Sequence, residues 1–106
     1  MGPAVEAVLW DILDDPACKP EPRGLAAAGL QKLVQNQAIP RLPALHALAD
    51  RLQAGQTDNA IVNAYIVFVL NRLDAIEVKD ALRLAFENGR VDTGIMDPRD
   101  ISFLED

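Results

Sequence analysis

The feature that most constrains the fold is a long apolar run over residues 61–73. At about 100° per residue its side chains point in every direction, which predicts a helix with neighbours on most sides. The stretch 66–69 is β-branched and aromatic and would also suit a strand, but the run is too long for an average strand and both flanks have helical patterns. It is also too short to span a bilayer. Its apolar members are Ile61, Val62, Ala64, Tyr65, Ile66, Val67, Phe68, Val69, Leu70 and Leu73.

A second, amphipathic helix is predicted directly afterwards, over residues 75–88. We expect Asp74 to be its N-cap, with Glu77 completing a capping box. We expect Gly89 to end it in the left-handed conformation, which glycine adopts cheaply. The apolar face carries Ala75, Val78, Ala81, Leu82, Ala85 and Phe86, and the charged face carries Glu77, Asp80, Arg83 and Glu87.

The rest of the chain continues the helical pattern. Gly24 and Gly29 each weaken the second helix by up to about 1 kcal/mol relative to Ala, so we expect another helix to approach closely there. Helix starts recur at two per roughly 35 residues, the spacing of helical-hairpin repeats. We predict an all-α fold in a single domain, residues 1–106, with five helices and a short C-terminal one. These helices are expected at about 3–13, 23–35, 42–54, 58–73, 75–88 and 98–104, with 14–22 as a proline-rich connector, Thr57 as the fourth N-cap and Asp97 as the last.

The charge of the chain argues against two classes of partner. Ten basic and sixteen acidic residues give a formal net charge of -6, with no basic cluster. Nucleic acid requires lysines and arginines to replace phosphate counterions, and anionic membrane surfaces attract the same residues, so we expect neither partner. Cys18 is the only cysteine, which favours a reducing cytosol. The N-terminal residues also lack the pattern of a signal peptide, and we expect a cytoplasmic protein.

Residues 92–94, Asp-Thr-Gly, match the active-site triplet of aspartic proteases. That chemistry needs two such aspartates sharing one proton, at a dimer axis in a β-fold, whereas here the triplet follows a helix. The alternative is a turn in which Asp92 accepts backbone N–H groups, and we favour this turn. His46 is the only histidine and has no histidine or cysteine cluster to complete a metal site. We therefore expect no catalytic residue, no metal and no cofactor.

Much of the chain carries short structural motifs, namely Ile39-Pro40-x-Leu42, Asn59, Asn63, Leu70, Leu73-x-Ala75-x-Glu77, Ala85-Phe86 and Val91-Asp92. Together they resemble the C-terminal part of bacterial HEAT-like repeat proteins of the PBS-lyase type. The resemblance covers residues 23–101. It implies helical hairpins stacked in a short right-handed, ARM-like α-solenoid, usually a scaffold for protein partners. One departure is Pro98-Arg99, which stands where the family often has a tryptophan.

Our first functional hypothesis is a non-enzymatic protein–protein interaction or scaffold module. A few exposed side chains on a rigid groove give such a module its specificity. The acidic balance favours a basic partner, and exposed solenoid ends favour self-association. The alternative function is an accessory small-ligand-binding or lyase-like HEAT protein, with polar groups converging on a pocket. The residues expected to contact a partner are Trp10, Asn63, Val67, Asn71, Asp80 and Glu87; for the two asparagines, an alternative is that they satisfy backbone groups of adjacent connectors.

Overall fold

The computed structural model of the chain describes residues 3–53 and 59–104. Every regular element in this part is helical, so the predicted all-α class and the five main helices are confirmed. No described helix is long and apolar enough to cross a membrane. The helices are α1 (Pro3–Asp14), α2 (Pro20–Gln35), α3 (Arg41–Asp50), α4 (Ala60–Arg72) and α5 (Lys79–Glu87), with 3₁₀ turns at Ile76–Val78, Pro98–Asp100 and Ser102–Leu104.

Two predicted helix starts are wrong for identifiable reasons. The second helix begins at Pro20 and not at residue 23, because proline suits the first turn, where its missing N–H would have no intrahelical partner. The fourth begins at Ala60, with Asn59 as its N-cap. The Asn59 side chain accepts hydrogen bonds from the N–H groups of Ile61 and Val62, the usual role of an N-cap asparagine. Thr57, the predicted N-cap, lies outside the described residues.

The first three helices alternate in direction. Arg23 in the first turn of α2 donates from Nε to the Leu13 carbonyl of α1 at 2.8 Å, so α2 starts where α1 ends. Arg51, which follows α3, pairs with Asp14 at the end of α1. The end of α1, the start of α2 and the end of α3 therefore meet at one end of the molecule, called end A; the opposite end is end B.

The last two helices continue this alternation. Arg41 at the start of α3 donates to the Leu73 carbonyl after α4 at 2.9 Å, which places the end of α4 at end B. Arg90 after α5 donates to the Leu52 carbonyl after α3 at 2.9 Å, and Asn63 near the start of α4 donates to the carbonyl of Arg90. The start of α4 and the end of α5 thus lie at end A. As a result, α2 and α4 run in the same direction, opposite to α1, α3 and α5.

The core surrounds α4, as its apolar pattern predicts. The side chains of α4 are buried almost all round; the exceptions are Phe68, which is 43% exposed, and Arg72 in its last turn, which is also exposed. The apolar face of the following segment is buried too, at Ala75, Val78, Leu82 and Ala85. The other large contributors are Leu13, Leu30, Leu33, Leu45, Leu48, Leu52 and Ile101.

Close helix approach at the two glycines of α2 is confirmed. A Cβ atom at Gly24 would lie 2.5 Å from Cδ2 of Tyr65, so α4 packs directly on the α2 backbone there. At Gly29 it would lie 3.1 Å from the methyl groups of Leu9 in α1. Glycine costs helix propensity, and here that cost is offset by close packing on both sides of α2.

Three helices end in the same hydrogen-bonded motif with a left-handed residue. After α5, Gly89 has φ 68°. Arg90 donates its N–H to the Ala85 carbonyl, and Gly89 donates its N–H to the Phe86 carbonyl. This pattern is a Schellman motif, so the predicted role of Gly89 is confirmed. Gln37 ends α2 and Asp74 ends α4 in the same way, with φ 60° and 55°.

The predicted N-cap role of Asp74 is therefore wrong. Its backbone is occupied in ending α4, and a 3₁₀ turn over Ile76–Val78 intervenes before α5 begins at Lys79. No side-chain cap precedes either element in this part of the structure. The predicted N-cap role of Asp97 is confirmed, and the side chains of Asp97 and Asp100 form a capping box with each other's backbone N–H groups. Ile101 then separates two 3₁₀ turns where one short helix was expected.

We predict that glycine at position 37 stabilises the protein. Gln37→Gly should raise the free energy of unfolding by about 0.5–1 kcal/mol, because a side chain with a Cβ atom is strained in the left-handed region. Gly89→Ala should lower it by about 1 kcal/mol for the same reason. Urea unfolding followed by circular dichroism measures both. Asn36→Gly is the control, since Asn36 has φ -88° and should gain nothing; equal stabilisation at positions 36 and 37 would contradict the prediction.

Candidate interaction surface

Two of the predicted partner-contact residues of α4 are buried. Asn63 is 1% exposed and Val67 is fully buried, so neither side chain reaches solvent, and their predicted contact with a partner is incompatible with this structure. The alternative for Asn63 fits the geometry, because its Nδ2 donates to the Arg90 carbonyl at 2.8 Å. Its Oδ1 is buried without a hydrogen-bond partner in the described structure. Asn63 therefore fastens the start of α4 to the segment after α5.

Asn71 lies at the other end of α4 and is half-buried. Its Nδ2 lies 3.5 Å from the Asp100 carbonyl, at the outer limit of a hydrogen bond. This contact again follows the alternative prediction, in which the amide serves a neighbouring connector. The two asparagine side chains therefore contact different backbone segments, at residues 90 and 100.

Trp10 is held in a contact between α1 and α3. Its Nε1 donates to Glu6 at 3.0 Å, and the Arg51 guanidinium stacks 4.4 Å from the ring centroid. Arg51 also forms a bidentate pair with Asp14, with both N–O distances 2.8 Å. A cation over an indole is an attractive contact, so the visible role of Trp10 is to join two helices.

The remaining predicted residues, Asp80 and Glu87, are exposed on α5. Asp80 lies 3.6 Å from Arg83 within the same helix, a surface pair that contributes little. Leu84 lies between them in sequence and is 57% exposed. The acidic α5 surface, defined as Asp80, Leu84 and Glu87, is therefore accessible to a partner.

Arginines near the helix ends fasten the ends to one another. The Arg41 guanidinium reaches the carbonyls of Leu73 and Asp74 and forms a bidentate pair with Glu77 at 3.0 and 3.2 Å. Cations at helix C-terminal carbonyls are favoured by the helix dipole. The hydrogen bonds from Arg41 hold the pKa of the Glu77 carboxyl below its ordinary value.

This pair predicts a measurable pH dependence. Because the folded pKa of Glu77 lies below its unfolded value of about 4.3, the stabilisation is complete above that value and is lost as the pH falls through the folded pKa. Glu77→Gln should therefore lose less stability than wild type between pH 6 and pH 3. Urea unfolding across that range measures the slope. Glu87→Gln, an exposed acid of α5, is the control and should keep the wild-type slope.

The Asp-Thr-Gly triplet forms the turn that the sequence favoured. Asp92 Oδ1 accepts the Gly94 N–H at 2.9 Å, and the Asp92 N–H donates to the Ala60 carbonyl at 3.1 Å. Among the described residues no three histidine, cysteine or acidic side chains converge as metal ligands. The Cys18 thiol is half-buried and lies 3.5 Å from Asp15; desolvation and this carboxylate raise its pKa, which disfavours the nucleophilic thiolate.

An apolar groove between α2 and α4 is the surface that sequence reasoning missed. It has a volume of about 330 Å³, and two large apolar side chains near it are exposed, Leu25 at 73% and Phe68 at 43%. Gly24 forms part of its floor, since the missing side chain brings the two helices together. The sequence signal was Leu25 directly after a packing glycine. The lining residues, which define the α2–α4 groove, are Glu21, Gly24, Leu25, Ala28, Tyr65, Phe68 and Val69.

A second cavity of about 410 Å³ lies between the end of α3 and α5. Leu52, Ala81 and Leu84 supply apolar walls, and Asn88 and Arg90 add polar groups. The Arg90 guanidinium already donates to the carbonyls of Leu52 and Gln53. Its visible role is to fasten helix ends.

Comparisons with protein-family models, with curated proteins and with solved structures find no match for this chain. The HEAT-like resemblance of the motifs therefore stays a prediction.

Proposed function

We propose that this protein is a non-enzymatic interaction module that receives an apolar partner segment in the α2–α4 groove. The observation that carries the proposal is the joint exposure of Leu25 and Phe68 beside an open apolar groove. Aromatic and aliphatic anchors with neighbouring pockets are the usual centres of protein interfaces. A single exposed leucine would be ordinary; two large residues flanking a groove form a docking surface.

A scaffold role agrees with how the helices are held. Ion pairs and carbonyl contacts of Arg23, Arg41, Arg51 and Arg90 join the ends of neighbouring helices. A surface on such a frame is pre-organised, which lowers the entropic cost of binding. Helices running alternately up and down in chain order also suit the HEAT-like α-solenoid that we infer from the motifs. The single cysteine leads us to propose a reducing compartment such as the cytoplasm.

The test is site-specific photo-crosslinking in the native host. A photoreactive amino acid at Leu25 should capture a stable protein partner, because that side chain would be covered in the complex. The same amino acid at Leu42 is the control; Leu42 is 50% exposed but lies on α3, outside the groove. Capture from Leu25 that disappears when Phe68→Asp is introduced supports the proposal, provided the variant melts like wild type. Identical capture patterns from positions 25 and 42 would refute it.

The cavity beside α5 favours one alternative function, an accessory small-ligand-binding protein. Its volume of about 410 Å³ lies within the range of pockets that bind small molecules. Native mass spectrometry of the chain purified from its host tests this function. A retained small molecule that is lost on Leu84→Arg, with the fold intact, would favour the alternative; release of the same molecule by the groove variant Phe68→Asp alone would count against this cavity as its site.

A further inference from the structure

The two helices that form the α2–α4 groove carry exposed charges of opposite sign at their two ends. The exposed charged side chains of α2 and α4 are Glu21, Lys32 and Arg72. Glu21 lies in the first turn of α2, at end A. Lys32 and Arg72 lie in the last turns of α2 and α4, at end B. On these two helices the exposed charge is therefore acidic at end A and basic at end B, with the apolar anchors between.

The helix geometry gives the spacing of these charges. Gly24 and Tyr65 lie at the same level, because a Cβ at Gly24 would touch the Tyr65 ring. With a rise of about 1.5 Å per residue, Glu21 lies about 4.5 Å before this level and Arg72 about 10.5 Å beyond it. The separation along the helix axes is about 15 Å, and its midpoint falls between the levels of Leu25 and Phe68. The two exposed anchors thus lie at the centre of the surface.

We infer that the partner in this groove is a second copy of the chain, docked about a two-fold axis near Leu25 and Phe68. This inference rests on the proposed function, since it names the occupant of the same groove. A two-fold axis that lies in the interface and runs across the two helices places end A of one copy over end B of the other. Glu21 of each copy then faces Arg72 and Lys32 of its partner, and the two apolar centres cover each other.

The charge of this surface favours a second copy over the basic partner that the net charge suggests. The chain as a whole carries -6, but the exposed charges of α2 and α4 are one acid and two bases. A basic segment would meet Lys32 and Arg72 at end B with no acid there to pair with them on these helices. The acidic α5 surface is the better site for a basic partner. Self-docking brings the acid of each copy to the basic end of the other.

Charge reversal leaves the anchors Leu25 and Phe68 in place; Arg72→Glu also removes a guanidinium that lies 5.8 Å from the Phe68 ring centroid. Glu21→Lys places a base opposite Arg72 in each homodimer contact, and Arg72→Glu places two acids together. Each variant alone should dimerise at least about tenfold more weakly than wild type, since like charges facing each other at an interface are strongly unfavourable. A one-to-one mixture of the two variants should form heterodimers with near wild-type affinity, because both contacts are then complementary.

Sedimentation equilibrium of the full chain measures these affinities, with circular dichroism to confirm that each variant is folded. Glu87→Lys is the control; it changes the net charge by the same amount as Glu21→Lys but lies on α5, and it should not weaken the dimer. A net-charge effect would act in opposite directions in the two test variants, whereas the inferred contact weakens both. A monomeric wild type, or a mixture that fails to regain affinity, would overturn the inference. Capture of a different protein from position 25 would still uphold the proposed function.

Discussion

Asn63→Asp is expected to destabilise the protein by about 3 kcal/mol or more at neutral pH, the scale of an uncompensated buried charge. The side chain is 1% exposed, and its Nδ2 donates to the Arg90 carbonyl at 2.8 Å. A carboxylate there can only accept hydrogen bonds, so it would face a carbonyl oxygen with no proton between them. The substitution changes hardly any volume, which leaves electrostatics as the cause.

Measuring this effect at two pH values separates charge from shape. At low pH the introduced acid group is neutral and can donate to the same carbonyl, so the difference from wild type should shrink between pH 7 and pH 4. Asn71→Asp is the matched control, because Asn71 is half-buried and its contact is 3.5 Å long; we expect a loss well under 1 kcal/mol there. Equal losses at positions 63 and 71 in urea unfolding would show that Asn63 does not hold α4.

Gly24→Ala is expected to lower the free energy of unfolding by about 1–3 kcal/mol, the usual cost of overpacking. The gain in helix propensity, about 1 kcal/mol, acts in the opposite direction and is outweighed. The new Cβ would lie 2.5 Å from Cδ2 and 2.6 Å from Cγ of Tyr65. Cγ is the ring atom nearest to the Tyr65 backbone, so the clash is relieved only by a change of the side-chain torsions or by a shift of α4.

Two further variants identify the cause of this loss. Gly29→Ala should be near neutral, because its Cβ would meet the Leu9 methyl groups at 3.1 Å, and these can shift at the end of a flexible side chain. Tyr65→Leu should reduce the cost of Gly24→Ala in a double-mutant cycle, since the clashing ring is gone. Thermal and urea unfolding of the set measure both effects. Additive losses at positions 24 and 65 would mean that the glycine does not serve this contact.

Local periodicity was enough to predict the helices and much of their packing. The apolar run of α4 predicted a helix enclosed by others, and Gly24 and Gly29 predicted close approach, because their poor helix propensity needs a packing reason. The N-cap role of Asp97 was also predictable, since it depends on residues within three positions of each other. Two kinds of feature were therefore predictable. In the first, the interacting groups lie within one helical turn of each other. In the second, a residue needs burial or close packing, whichever element supplies it.

The rest required knowledge of three-dimensional neighbours. In the sequence Asn63 is a polar residue within a predicted helix. Its hydrogen bond to the carbonyl of Arg90, 27 residues later, depends on how α4 and α5 pack together. Asp74 was predicted to be an N-cap, which is a common role of aspartate. Aspartate also tolerates the left-handed conformation that ends helices, so the residue type alone does not distinguish the two roles. The α2–α4 groove depends on which helix packs against Gly24, and local pattern does not contain that information.

The fastening of helix ends also sets how the chain can fold. Its contacts join residues between 10 and 38 positions apart, from Arg23 with Leu13 to Arg90 with Leu52. The entropy lost in closing such a loop grows only with the logarithm of its length, by about 0.6 kcal/mol per doubling, so the longer contacts cost little more than the shorter ones. Two of the closures skip a helix, Arg51 with Asp14 and Arg90 with Leu52, so opening either one releases a segment that includes the intervening helix before the whole domain unfolds.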